Sequence, residues 1–158
     1  MAWTFHRRAD LVAYLRAARA GLRTGGVLVL NALGGSGAER ALVERTRKRG
    51  SSAPDGTWVK PFTYVWEQAS FNAIDSRLLA WIHFEPRQGP RMLRAFTYDW
   101  RMWTLPELRD AVLEAGFRDF GVWSEGWHSK RRTHTGALVK RMNLENDDCW
   151  IAYCAAFR

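Results

Sequence analysis

Tyr98, Arg101 and Trp103 form the tightest grouping of chemically capable side chains in this 158-residue sequence. A guanidinium beside aromatic rings can pair with a carboxylate or fix the neighbouring Asp99, while the rings stack on a planar molecule. The same arginine also reads as an architectural bridge from a strand to the helix that follows. Tyr64 and Trp66, with Trp58 upstream, add rings of the kind that more often fill a core than line a cage. His6 can accept a proton, although a histidine so near the first residue is usually solvated. Asn31 ends an apolar run, where its amide can hydrogen-bond a ligand or form a turn at the strand end. His83 sits among bulky neighbours in an alternating segment and reads as a satisfied packing histidine.

Cys149 and Cys154 are the only cysteines. Their five-residue spacing on an expected strand puts them on opposite faces, against a mutual disulfide. No ligand spacing for a metal accompanies them. Two buried, reduced packing cysteines are expected, which suits a cytoplasmic protein. No apolar run approaches the roughly 18 residues of a membrane span, and no signal segment is recognisable.

The apolar fraction of 47% and nine tryptophans describe a chain that builds a core. Its formal charge is +8, almost wholly from arginine. Two basic clusters stand out, Arg45-Thr46-Arg47-Lys48-Arg49 and Lys130-Arg131-Arg132. They read as solvated surface segments. Nucleic acid is admitted as a partner but not favoured, because no recognisable nucleic-acid module accompanies the charge.

Leu11, Leu15, Ala18 and Leu22 recur at helical spacing and predict a helix over 9–23, stopped by Gly25-Gly26. Val27-Leu28-Val29-Leu30 is a continuous apolar run, the pattern of a parallel strand buried on both faces. Gly34 to Gly37 turns the chain, and a second helix is expected over 38–48. Residues 58–101 predict a three-stranded antiparallel meander, with Phe62, Tyr64 and Trp66, then Leu78 to Phe84, then Phe96, Tyr98 and Trp100 in alternation. Thr104 and Glu107 form a capping box that opens a helix with Pro106 in its first turn, and Gly116 closes it, with Phe117 as the closing contact. A strand at 118–123, a polar basic loop near 128–136 and a strand at 149–157 complete the chain.

Three stretches together resemble the class I S-adenosylmethionine-dependent methyltransferase family. The first is the helix from Leu11 through Gly25-Gly26 into Val27–Leu30. The second is Phe96-Thr97-Tyr98-Asp99-Trp100-Arg101-Met102-Trp103-Thr104-Leu105-Pro106-Glu107-Leu108, similar to that family's junction before the last helix. The third is Glu114-Ala115-Gly116-Phe117, similar to the end of that helix. The resemblance implies an α/β fold: a partial Rossmann-like methyltransferase sheet carrying an aromatic-rich antiparallel meander insertion and a C-terminal reversed β-hairpin. One domain is expected over 1–158, with helix–strand–helix in 1–48, the meander in 58–101, and helix plus hairpin in 104–158.

The family binds its cofactor through a glycine-rich loop after its first strand and an acidic residue ending the second. Only ten residues precede Leu11, and Gly34–Gly37 follows the wrong strand to replace that loop. The chain is therefore expected to be the C-terminal portion of such a domain, with no tight hold on S-adenosyl-L-methionine by itself. The resemblance implies Phe5, His6 and Asn31, with Arg7 and Leu33-Gly34 nearby, on the cofactor side. It makes the meander a cap, so that Tyr64, Trp66, Tyr98, Arg101 and Trp103 would meet a small-molecule acceptor. No catalytic residue and no metal site are assigned. A sheet lacking its first strands would also predispose the chain to self-association.

Overall fold

The computed structural model describes residues 2–128 and 133–158. The cluster Lys130-Arg131-Arg132 lies outside the described residues. A short 3-10 turn, Ala2–Thr4, precedes α1 (Arg8–Gly21) and β1 (Val27–Gly34). Six strands follow: β2 (Leu42–Lys48), β3 (Ser51–Ser52), β4 (Trp58–Val59), β5 (Phe62–Asn72), β6 (Arg77–Pro86) and β7 (Met92–Arg101). The chain continues with α2 (Leu105–Glu114), β8 (Asp119–His128), β9 (Thr133–Arg141) and β10 (Trp150–Phe157). These elements form two compact units, one from Met1–Ala38 with Arg101–Arg158 and the other from Glu39–Trp100.

The first unit is built on a four-stranded sheet of order β1-β10-β8-β9. Its registered neighbours are all antiparallel. Cα partners in such a ladder share a face, so Leu30 and Ala32 of β1 lie beside Cys154 and Ala152 of β10. These positions are buried, and with Leu11, Leu15, Leu108, Val112 and Trp103 they make the core. α2 packs on β8 and α1 packs on α2. Burial pushes the Cys154 thiol up to about 12, which leaves it an inert packing group. Cys149, in contrast, is exposed, which corrects the expectation that both cysteines are buried.

The parallel, Rossmann-like sheet expected from the sequence is overturned by these antiparallel pairings. The apolar run Val27–Leu30 belongs to an edge strand that, among the described residues, has a neighbouring strand, β10, on one side. Its outward positions Val27, Val29 and Asn31 are exposed. A continuous apolar run cannot distinguish burial on both faces from an edge strand whose outer face is left open. The hairpin expected from 118–123 and 149–157 corresponds to β8 against β10, with Val122 opposite Cys154. Part of the expected basic loop forms β9 on the other edge of β8.

The second unit holds a sheet of order β2-β5-β6-β7. β5, β6 and β7 are the meander strands, in chain order. The helix expected over 38–48 is instead β2, paired antiparallel with β5 from Leu42↔Gln68 to Lys48↔Phe62. The segment is short and carries Val43 and Thr46, residues that fit a pleated surface, and tertiary pairing outweighs its weak helical periodicity. Trp58, expected on the meander face, instead pairs with Ser52 in the separate β3–β4 ladder.

Two local signals of the sequence are realised at the ends of α2. The Thr104 hydroxyl accepts the Glu107 N–H at 3.3 Å, and the Glu107 carboxylate accepts the Thr104 N–H at 2.8 Å. At the other end Gly116 takes φ 91°, its N–H donates to the Leu113 carbonyl, and Phe117 N–H donates to the Val112 carbonyl. That is the six-to-one and five-to-two closure of a left-handed glycine stop. Thr104→Ala removes one cap bond and is expected to cost about 1 kcal/mol. A urea titration would read it as a lower midpoint with an unchanged slope; an unshifted midpoint would deny the cap any energetic role.

Candidate functional site

In the first unit the end of β7 and the start of α2 place Arg101, Trp103 and Glu107 beside the N-terminal turn. Trp103 is 2% exposed, and its indole N–H donates to the Phe5 carbonyl at 3.0 Å. The Arg101 guanidinium lies over the Trp103 ring, 3.7 Å from its centroid. One Arg101 nitrogen donates to the His6 carbonyl at 3.0 Å, and the other terminal nitrogen meets the Glu107 carboxylate at 3.4 Å. The Arg101 Nε is buried without a hydrogen-bond partner among the described residues. The Phe5 ring packs against Tyr14 at 5.0 Å.

Four of the candidate residues, Phe5, His6, Arg101 and Trp103, are thus brought together. Their polar groups mostly face one another. Arg101 serves as the bridge from strand to helix, one of the two readings its spacing allows. Asp99 is not its partner: that carboxylate holds Arg77, whose Nε lies at 3.2 Å. Asn31 stands apart from the cluster, exposed on the outer face of β1 opposite Tyr153.

The remaining candidates, Tyr64, Trp66 and Tyr98, meet in the second unit. Register pairs Tyr64 with Phe84 and Trp66 with Ile82, so β5 and β6 present rings on one face. Trp66 lies 5.7 Å from Tyr98 and 6.2 Å from Trp100, and Tyr98 lies 4.5 Å from Trp100. Tyr64 and Phe96 both pack edge-on against Phe84. Lys48 approaches the Tyr64 ring at 5.8 Å. Burial is the first cause that pushes the Tyr64 hydroxyl above its ordinary range, with Tyr98 and Glu44 adding to it. The phenol therefore stays protonated and is no proton acceptor at neutral pH. The face carries partly buried rings set at 38–78° to one another, so single rings, and not a continuous plane, are available for stacking.

The opposite face of this sheet holds residues whose roles single-sequence reasoning misses. His83 is buried, with its Nδ1 accepting the Arg94 N–H at 3.0 Å and its Nε2 3.0 Å from a Glu67 oxygen. A ring accepting at Nδ1 carries its proton on Nε2, so both nitrogens are used, as expected of a packing histidine. Arg94 adopts φ 50°, and its guanidinium covers Trp81 at 3.9 Å. On the ring-bearing face, Gln68 is buried and ties the Arg40 carbonyl to the Trp66 indole. Nothing in the local pattern marks Gln68, because its partners are brought to it by β2 and by the alternation of β5. Glu85 is a third case: Arg45 reaches it at 2.5 Å and Arg91 at 3.9 Å. Reading 45–49 as a strand rather than a helix separates Arg45 and Arg47 from Thr46 and Lys48 and is the signal that would have found it.

Among the described residues no group of three or more histidine, cysteine or acidic side chains could hold a metal ion. Among the described residues no helix is long and apolar enough to cross a membrane. The cofactor candidates do not by themselves form a cradle for S-adenosyl-L-methionine: the Phe5 and His6 carbonyls are taken by Trp103 and Arg101, and Asn31 lies on an open sheet face. No protein-family model matches this chain, and no curated protein matches it.

Proposed function

We propose that this chain is the acceptor-side part of an S-adenosyl-L-methionine-dependent methyltransferase for a small molecule, active only with a cofactor-binding half docked against β1. The observation that carries the reading is the condition of that edge. Val27–Gly34 pairs with β10 without a bulge, contains no charge and no proline, and exposes Val27 at 41% and Val29 at 57%. Edge strands in finished proteins are usually blunted by charge, proline or a bulge. The other edges of the two four-stranded sheets follow that rule: β2 carries Glu44, Arg45, Arg47 and Lys48, β9 carries Lys140 and Arg141, and β7 carries Arg94 at positive φ. β1 is the strand left fit to accept another.

In this reading Arg101 with Trp103 holds the N-terminal turn that carries Phe5 and His6. Methyl transfer is an in-line displacement, so positioning of the acceptor supplies much of the rate advantage. The setting is cytoplasmic, in keeping with two cysteines that need no oxidant.

Calorimetry with S-adenosyl-L-methionine tests this directly. The chain alone should show no micromolar binding, while the chain in complex with a protein that pairs with β1 should bind and transfer a labelled methyl group to a small acceptor. Micromolar binding by the chain alone would remove the need for a docked half. Failure of both forms to bind would end the methyltransferase reading.

A further inference from the structure

The ends of β2, β5 and β6 enclose a cleft of about 570 Å³ within the second unit. That size lies inside the range of small-molecule sites, roughly 300–1,000 Å³. Four cations line it: Arg47 and Lys48 from the end of β2, and Arg87 and Arg91 from the turn between β6 and β7. Glu85 is the one carboxylate in the lining, and it is already engaged by Arg45 and Arg91. The Arg45 guanidinium hydrogen-bonded to Glu85 holds its carboxyl below the usual range, with Arg91 adding to the effect. No carboxylate pairs with Arg47, Lys48 or Arg87 among the described residues. Cations gathered round one cleft repel each other, and an anion in it relieves that cost.

Two features narrow the anion. Arginine forks match tetrahedral oxyanions in a bidentate way, and a phosphate monoester carries close to two charges at neutral pH. The cleft is also walled by Phe62, half-buried at the start of β5, and by Pro61 and Pro86. A flat apolar group attached to the phosphate has a ring to lie on.

We propose that this cleft binds a small aromatic phosphate ester, with the phosphate held by the cations of its lining and the aromatic group packed on Phe62. The site is built from the second unit by itself and does not depend on the methyltransferase reading.

Titrate the full chain calorimetrically with phenyl phosphate, inorganic phosphate, phenol and a twelve-residue oligothymidylate. One saturable site for phenyl phosphate is expected, about tenfold weaker for inorganic phosphate and absent for phenol. Arg47→Gln with Arg87→Gln should weaken phenyl phosphate by at least about tenfold, and Phe62→Leu should bring it toward inorganic phosphate. Both variants must keep the parent far-UV spectrum; exposed Arg47 and Arg87 make that the expected result for the charge variant. Absence of saturable binding overturns the proposal, as does an affinity indifferent to the double substitution. Oligothymidylate binding that falls steeply with salt while both small phosphates stay inert would overturn it too, and would assign the cations to a nucleic-acid backbone.

Discussion

Trp103→Ala is expected to cost about 3–5 kcal/mol, the range for deleting a large buried aromatic side chain. The indole is fully enclosed, receives the Arg101 guanidinium on its face and donates to the Phe5 carbonyl. Truncation therefore opens a cavity, strands a carbonyl and removes the surface on which Arg101 rests. Domains of this size are stable by about 5–15 kcal/mol, so the variant should be marginal or unfolded in its first unit. Trp103→Phe separates the contributions. It keeps a ring beneath Arg101 but loses the indole donor, and about 1–2 kcal/mol is expected. Urea unfolding followed by far-UV circular dichroism measures both. If alanine and phenylalanine cost the same, the packing account fails and the hydrogen bond alone matters.

Gly35→Ala should be the second severe change, with a loss on the order of 3 kcal/mol. Gly35 sits at φ 120°, and a Cβ there would lie 2.5 Å from the Asp147 carbonyl oxygen and 2.6 Å from that of Asp148. Neither carbonyl is at liberty to move. Ser36 N–H donates to the first at 3.0 Å and Gly37 N–H to the second at 2.8 Å, while the Ser36 hydroxyl holds the Asp148 side chain at 2.9 Å. An added methyl must either break these bonds or push β1 out of its ladder. Gly25→Ala is the control: φ is 75°, nothing lies within 4 Å of its Cβ, and only the backbone term of about 1 kcal/mol applies. Thermal melts of the two variants should differ by several degrees. Equal melts would show that the contact with 147–148 yields without cost.

These predictions rest on features of different origin. The capping box of α2, its glycine stop and the alternation of β5, β6 and β7 are written in windows of a few residues. Hydroxyl, carboxylate and glycine act there on backbone groups three or four positions away, so their types and spacing alone determine them. α1 is equally legible, because Leu11 and Leu15 lie one turn apart and both are buried. The direction of the β1 pairing, the strand state of 42–48 and the true partners of Arg101 and Asp99 are not local. A run such as Val27–Leu30 has the same apolarity in a parallel centre or at an antiparallel edge. Which occurs depends on β10, more than a hundred residues away in the chain. Arg45 and Glu85 are forty residues apart, and their pairing exists only because β2 and β6 both border β5. The amino-acid sequence by itself determined the helix ends, the aromatic alternation and the excess of positive charge. Tertiary structure alone decided which strands meet, and hence which charges converge and which edge stays open, because those energies arise between segments that have no means of signalling each other along the chain.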